Sequence, residues 1–323
     1  MNTLSIVTSV FNSERTIQEF VKRACATAEK NFRHHFEIII VNDGSADQTL
    51  SILRSICARN QKCLVLNLSR NFGHHAALLC GLEQAKGEYV FLIDSDLEEA
   101  PELLSEFFRE MKIKNADTVY GVQKGRRKGD LFERISGAVF YRIFGWLCPL
   151  RYEANQLTAR LMRRCYLTEI LKYRENQFDL WGFFSLAGFK QIPFASVKTH
   201  KKSSTYTLGK KISMACAMII SLSEKPLVFI FLFGLAVTFL SCGVVVYLVT
   251  RRLLVPDMPL GYATIASSIW LIGGIVILSI GTVGLYLSKV FLEVKKRPRY
   301  HISEIIGCLK AGKVKEGANR LVS

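Results

Sequence analysis

Several patterns are missing from this chain, and their absence narrows what it can be. There is no C-x-x-C pair and no H-E-x-x-H, although the 323 residues include nine cysteines and six histidines. Scattered thiols in odd number exclude a complete disulfide frame and a zinc ribbon, and read as reduced thiols in a reducing compartment. No internal repeat or low-complexity tract is present, which excludes solenoid and fibrous architectures. The start, Met1-Asn2-Thr3, lacks a basic n-region, and the apolar stretch Leu4 to Phe11 is short, so no signal-peptide pattern opens the chain and residues 1–207 are expected in the cytoplasm. Acidic residues are also in deficit, 27 against 43 lysines and arginines, a formal charge of +16.

Charge is absent altogether from two long stretches. Leu227 to Val249 and Tyr262 to Ser288 contain no Asp, Glu, Lys, Arg or His. Each exceeds the roughly 20 residues that cross a bilayer as a helix. A buried core helix of that length without a polar face is rare, so the expectation is a two-helix transmembrane hairpin over 226–290. Lys198, Lys201, Lys202, Lys210 and Lys211 precede the hairpin, and Lys289, Lys295, Lys296, Arg297 and Arg299 follow it, while the connecting loop has only Arg251 and Arg252. The positive-inside rule then places both flanks in the cytoplasm. Such belts fit anionic lipid headgroups better than nucleic acid, so the expected partner is a lipid bilayer and no nucleic acid. Residues 208–225 suit an amphipathic helix lying in the interface, and 291–323 a cytoplasmic basic tail. These segments predict a multi-pass protein of the inner (cytoplasmic) membrane.

The first two hundred residues alternate. Strands are predicted at Leu4 to Val10, Phe36 to Val41, Cys63 to Leu68, Tyr89 to Ile93 and Thr118 to Val122. Helices are predicted over Glu14 to Ala28, Asp47 to Ala58, Gly73 to Ala85 and from Pro101 onward. This order argues for an α/β fold with a doubly wound, mostly parallel sheet, followed by a mixed region to about Val197. In such a sheet ligands bind at the carboxyl ends of the strands. The fourth strand ends there in Asp94-Ser95-Asp96-Leu97-Glu98-Glu99. Asp and Glu favour the first turn of any helix, and that is the reading preferred for Glu99. Asp94 and Asp96, however, cannot both stay buried and ionised without a cation. The expected cation is Mg²⁺ or Mn²⁺ gripping a diphosphate, with Asp94, Asp96 and Glu98 as ligands and Asp96 the strongest candidate. Asp43, in Asn42-Asp43-Gly44-Ser45 after the second strand, and Glu14 after the first would contact the nucleoside, with Asp94 beside them.

These three loops, with the two apolar runs, resemble the family 2 glycosyltransferases of GT-A fold, and within them the membrane subgroup that moves a sugar onto polyprenyl phosphate. The resemblance rests on Leu68-Ser69-Arg70-Asn71-Phe72-Gly73 with Ala76-Ala77 and Gly81-Leu82, on Asp94-Ser95-Asp96-Leu97 with Pro101-Glu102, and on Phe140-Tyr141-Arg142. Gly284-Leu285-Tyr286 and Glu293-Val294-Lys295-Lys296-Arg297-Pro298-Arg299-Tyr300 extend it to the C-terminal region. It implies an inverting transfer from a nucleotide-sugar donor to polyprenyl phosphate, with Asp96, Arg126 and Arg134 in catalytic roles. Arg126, Arg127, Arg134, Lys201, Lys202 and Ser204 would hold the acceptor phosphate, each basic residue being as well explained by attraction to the membrane surface. Relatives imply a homo-oligomer, a tetramer. The chain departs from the subgroup pattern at Ser9 (usually proline), Asn42 and Thr158 (each usually aspartate), Glu98 (commonly glutamine), Gln123 (an arginine) and Lys202-Ser203-Ser204-Thr205-Tyr206. Thr158 stands where the proposed base would be. A phosphate whose second pKa is about 6 is largely dianionic at neutral pH and needs little from a base. The alternatives at this point are an inactive, nucleotide-sugar-binding membrane scaffold and transfer to a longer lipid-linked glycan.

Overall fold

The structure is a computed structural model that describes residues 3–123, 156–173, 180–196, 262–295 and 297–307, with isolated positions between 227 and 250. The chain divides into two units. One comprises Met1–Leu131, Leu150–Ser204 and Arg297–Ser323, the other Phe132–Pro149 and Thr205–Lys296.

The first unit is built on one sheet. Its elements in order are β1 (Leu4–Val10), α1 (Ile17–Phe32), β2 (Phe36–Asn42), α2 (Thr49–Arg59), β3 (Cys63–Leu68), α3 (His74–Gln84), β4 (Tyr89–Leu92), α4 (Leu103–Lys114) and β5 (Thr118–Gln123). These are followed by β6 (Gln156–Arg163), α5 (Arg164–Ile170), α6 (Leu180–Leu186), β7 (Gln191–Ser196) and β8 (Ile302–Ile306). The strand order is β7-β5-β6-β4-β1-β2-β3-β8. β6 runs antiparallel to β4 and β5, and β8 antiparallel to β3, while the pairings of β1, β2, β3 and β4 are parallel. The α/β fold is as expected, but the sheet is mixed: four of its seven pairings are parallel and three antiparallel, a layout consistent with a GT-A fold.

The apolar strand runs explain why the sheet is covered on both faces. Successive side chains alternate across a strand. In β2, Ile38 and Ile40 join a core with Phe20, Leu53, Phe91 and Phe107, while Ile39 and Val41 join the opposite core with Ala77, Leu78, Leu92 and Phe184. α1 buries Ile17, Phe20, Val21, Ala24 and Ala28, the spacing of one helical face. Each buried Val, Leu, Ile or Phe side chain among these contributes roughly 1.5–3 kcal/mol by leaving water.

Two sequence expectations change here. Residues 302–306, read as part of a basic tail, form β8 at the sheet edge, where Val65 pairs with Ile306 and Leu66 with Ile305. In the second unit, α7 (Tyr262–Val294) runs for 33 residues, about 50 Å at 1.5 Å per residue. It leaves Ile265, Ile269, Ile272, Val276, Ile280 and Val283 exposed. Not every side chain of α7 is described, and over the described residues no helix is long and apolar enough to cross a membrane. The predicted interfacial helix (208–225) and nearly all of the first apolar run (227–249) lie outside the described residues. The transmembrane hairpin is thus an expectation that the described structure does not reproduce.

Gly44, in the turn after β2, sits at φ +69°, and a Cβ added there would stand 2.5 Å from the Arg70 carbonyl carbon and 2.6 Å from the Asn71 nitrogen. Both contacts are backbone and cannot swing aside. Gly44→Ala should lower stability by about 2–4 kcal/mol, measured as a fall in the thermal unfolding midpoint. An unshifted midpoint would contradict this close approach of the two turns.

Candidate functional site

Because β1, β2 and β4 are parallel neighbours, their carboxyl ends release the chain on one edge. Hydrogen bonds between the emerging loops then fix them. Asn12, held at φ 50°, donates its N–H to Ser45 Oγ (3.0 Å) and accepts the Ala46 N–H on Oδ1 (3.0 Å). Ser45 Oγ donates to Asn42 Oδ1 at 2.6 Å. The Ser95 hydroxyl, buried, donates to the Ser9 carbonyl at 3.0 Å and ties the acidic loop to the end of β1. Within that loop Asp96 Oδ1 accepts the Glu98 N–H at 3.0 Å, and Leu97 adopts φ 62°. A left-handed conformation costs a leucine roughly 1–2 kcal/mol. Such strain collects at functional sites.

Asp43 is 3% exposed. Its Oδ1 accepts the Phe72 N–H at 2.7 Å and its Oδ2 the Gly73 N–H at 3.0 Å. Burial pushes its carboxyl above the ordinary range, opposed by these two N–H groups and by nearby His74 and Arg70. Its visible work is to clamp the turn that starts α3. That turn delivers His74 to the edge.

Asp94 is the meeting point of the site. Its Oδ2 accepts the Thr158 hydroxyl at 2.6 Å. Its Oδ1 is buried and makes no hydrogen bond, with His74 Nε2 3.4 Å away. His74 Nδ1 in turn lies 3.0 Å from Ser9 Oγ. Thr158 is itself held by Glu99, whose two oxygens accept the N–H groups of Thr158 (3.1 Å) and Ala159 (2.7 Å). Glu99 is 2% exposed, so it is a buried clamp on β6, which corrects its reading as an acid of a helix first turn.

Ser9, Asp43, His74, Asp94 and Asp96 line one cavity of about 340 Å³, a volume within the range of small-ligand sites. The structure therefore brings together Asp43, Asp94 and Asp96 as the sequence predicts. Glu14 and Glu98 are not among the lining residues. Glu14 instead accepts the Gln48 N–H at 3.2 Å while its own N–H donates to Asp47 Oδ2 at 3.3 Å, which steadies the start of α2. Among the described residues no three His, Cys, Asp or Glu side chains converge as a metal cluster; of the expected ligands Asp94 and Asp96 line the cavity and Glu98 does not. Arg126, Arg127, Arg134, Lys201, Lys202 and Ser204 lie outside the described residues. Sequence reasoning passed over His74, whose signal was its place directly after the Asn71-Phe72-Gly73 turn at the amino end of α3.

Thr158→Val preserves shape and removes the donor to Asp94 Oδ2. Leaving that oxygen unsatisfied should cost about 1–3 kcal/mol, read from chemical or thermal unfolding. A variant as stable as the parent would show that Thr158 does not hold Asp94.

Residues 5–185 match the family description "Glycosyl transferase family 2". A Mycobacterium tuberculosis protein described as a glycosyltransferase is 40% identical over 94% of this chain and 88% of its own length. A prophage-derived bactoprenol glucosyl transferase of Shigella flexneri is 28% identical over 93% of this chain and 97% of its own. Among solved structures, glucosyl-3-phosphoglycerate synthase from Mycobacterium tuberculosis, in complex with phosphoglyceric acid, is 22% identical with a TM-score of 0.47, over 69% of this chain and 80% of that one. The family match spans more than half of the chain and the relatives nearly all of it: this chain belongs to glycosyl transferase family 2, and it is a glycosyltransferase.

Proposed function

We propose that the protein transfers a sugar from a nucleoside-diphosphate donor to polyprenyl phosphate at the cytoplasmic face of a membrane. The observation that carries this reading is the carboxyl-edge cavity in which Asp94 and Asp96 stand together and one buried Asp94 oxygen lacks a hydrogen bond. A buried carboxylate oxygen without a hydrogen bond is costly in a closed protein. It fits a site completed by a cation. Mg²⁺ and Mn²⁺ bind through one or two carboxylates, with substrate phosphates and water supplying the rest, so the lack of a third protein carboxylate is in keeping with them. Asp94 and Asp96 would hold the ion. When bound, it would offset the negative charge that grows on the departing diphosphate.

The chain's own groups set the geometry. The Asp43 clamp fixes the Phe72–Gly73 turn, the Ser95–Ser9 bond fixes the acidic loop, and Glu99 with Thr158 fixes the orientation of Asp94. Holding donor and acceptor in line converts a bimolecular step into an effectively unimolecular one. The attacking oxygen belongs to a phosphate that is already largely dianionic at neutral pH, with a second pKa of about 6 by analogy with phosphorylated side chains. Thr158 in place of a base aspartate is compatible with this nucleophile. Two anions must approach each other, which calls for cations. Arg126 and Arg134 are the first candidates, with Arg127, Lys201, Lys202 and Ser204 beside them.

The acceptor class is supported by the name of the Shigella flexneri relative and by the two uncharged runs, which would keep the site at the level of a lipid phosphate. Purified protein given Mg²⁺ or Mn²⁺, polyprenyl phosphate and a panel of radiolabelled nucleotide sugars should yield an organic-extractable, mild-acid-labile product. Asp96→Ala should reduce its formation by at least about a hundredfold, the scale of losing a main electrostatic contact. Absence of product with every donor would favour an inactive scaffold, and full activity of Asp96→Ala would remove the metal role assigned to it.

A further inference from the structure

We propose that Ser303 and Asn67 are positioning residues for the donor, so that β8, the strand by which the chain returns after α7, completes the donor cavity through a relay of hydrogen bonds. The inference rests on the reading of the cavity as a nucleoside-diphosphate site and adds two residues that lie outside its lining. Asn42 and Asn67 stand directly opposite each other near the carboxyl ends of β2 and β3, and Asn42 Nδ2 donates to Asn67 Oδ1 at 2.7 Å. The pairing of β3 with β8 then bulges. Asn67 pairs with Glu304 and Leu68 with Ile302, so Ser303 is the extra residue. A bulge beside a site re-aims a side chain. Here the Ser303 hydroxyl donates to the Asn67 carbonyl at 2.9 Å and accepts from Asn67 Nδ2 at 3.1 Å.

The relay has one direction. A hydroxyl carries a single proton. Ser303 directs its own at the Asn67 carbonyl, so toward the Asn67 side chain it can only accept. That orients the Asn67 amide with Oδ1 toward Asn42, which must then donate. Asn42 Oδ1 is left to accept the Ser45 hydroxyl at 2.6 Å and the Ser45 N–H at 3.4 Å. Ser45 Oγ, its proton directed at Asn42, accepts the Asn12 N–H at 3.0 Å. Asn12 holds φ 50° directly after Val10 and Phe11, which line the cavity. The relay thus runs from the edge strand to the backbone of the cavity wall. Aspartate, usual at position 42 in the pattern this chain resembles, would accept from Ser45 equally well but has no proton for Asn67 when ionised. It would set a carboxylate oxygen against Asn67 Oδ1. The departure at Asn42 is therefore what extends the relay to β8. Asn42 is buried, so its amide serves the relay and not the ligand directly.

The test needs no turnover. Binding of UDP, GDP, CDP and ADP, each with Mg²⁺, is measured by calorimetry on the purified full chain. The wild type should bind at least one of them. Ser303→Ala, a change at an exposed position of the edge strand, should weaken that nucleotide by about fivefold, the scale of one net hydrogen bond, while the unfolding midpoint stays close to that of the parent. Ser303→Thr keeps the hydroxyl and should bind as the wild type does. Ser303 and Ser45 share no hydrogen bond, so independent effects of Ser303→Ala and Ser45→Ala would multiply in the dissociation constant. Acting through one relay, the double variant should bind no more weakly than the weaker single variant. Multiplying effects, wild-type affinity in Ser303→Ala, or equal losses in Ser303→Ala and Ser303→Thr each overturn the proposal and leave the donor reading standing. If the wild type binds none of the four nucleotides, the donor reading and the proposal fall together.

Discussion

The register of β1 between β2 and β4 is the constraint on which the rest of the first unit depends. Every residue of β1 is buried, and it pairs in parallel on both sides, Val10 with Asn42 and Val7 with Leu92. The first pairing brings Asn12 within reach of Ser45. The second sets Asp94 level with Ser9. A slip of one residue would turn each inward side chain to the other face of the sheet, and two buried faces make that slip prohibitive. α3 is held to the same frame by Gly81, where a Cβ would come within 2.6 Å of Val7 Cγ1. His74 lies seven residues earlier on that helix. Its position at the carboxyl edge therefore follows from close packing two turns away.

Buried polar groups gather at both edges of this sheet. At the amino edge, Ser5 Oγ donates to Glu37 Oε1 at 2.6 Å, Glu37 accepts the Lys86 N–H at 2.8 Å, and Ser5 accepts the Gly87 N–H at 2.7 Å. This network joins three chain segments and satisfies its members. At the carboxyl edge one Asp94 oxygen is left without a hydrogen bond, Leu97 is left-handed, and Asn12 likewise. Unsatisfied groups and strained backbone each cost on the order of 1–3 kcal/mol, and a fold tolerates them where a ligand or a reaction uses them. Arg163 Nε, opposite Tyr89 at the amino edge, is likewise without a hydrogen bond, and Arg33 and Asn115 there are left-handed, so what marks the carboxyl edge is the cavity lined by its acidic loop.

The sequence made some of this legible and not the rest, and the division has a physical basis. Alternating strands and helices depend on local hydrophobic periodicity, so β1 to β5 and α1 to α4 could be placed within a few residues. The position of Asp94 at a strand end is likewise local. The convergence of Ser9, His74 and Thr158 on Asp94 is not, because it depends on pairings between residues 65 and 64 apart in the chain. Charge also misled. Glu99 looked like a helix-start acid, since nothing local shows that β6 will arrive with two N–H groups for it. Arg160 is buried at 2% exposure, yet its sequence neighbours gave no sign of the cage that receives it. Gln156 and Gln191 accept its N–H groups at 3.1 and 3.2 Å, and the Tyr120 and Phe184 rings flank its guanidinium at 4.8 and 4.1 Å.

β8 carries the last step, because it bears on how many times the proposed membrane segments can cross. It pairs with β3 in the same sheet as β1, and the Ser69 N–H donates to the His301 carbonyl at 2.9 Å just before that pairing. Arg54 and Glu304 add an ion pair at 2.7 Å on the same strand. A sheet is on one side of a bilayer. The chain that leaves it after β7 and returns at β8 must therefore cross an even number of times, or not at all. α7 ends at Val294, eight residues before β8 begins, so a single crossing by α7 alone is excluded by connectivity. If α7 spans, a second span must precede it, and the uncharged run from Leu227 to Val249 is long enough to supply one. The strand that the sequence hid in a basic tail thus constrains the topology of the proposed membrane segment more tightly than the lysine and arginine count does.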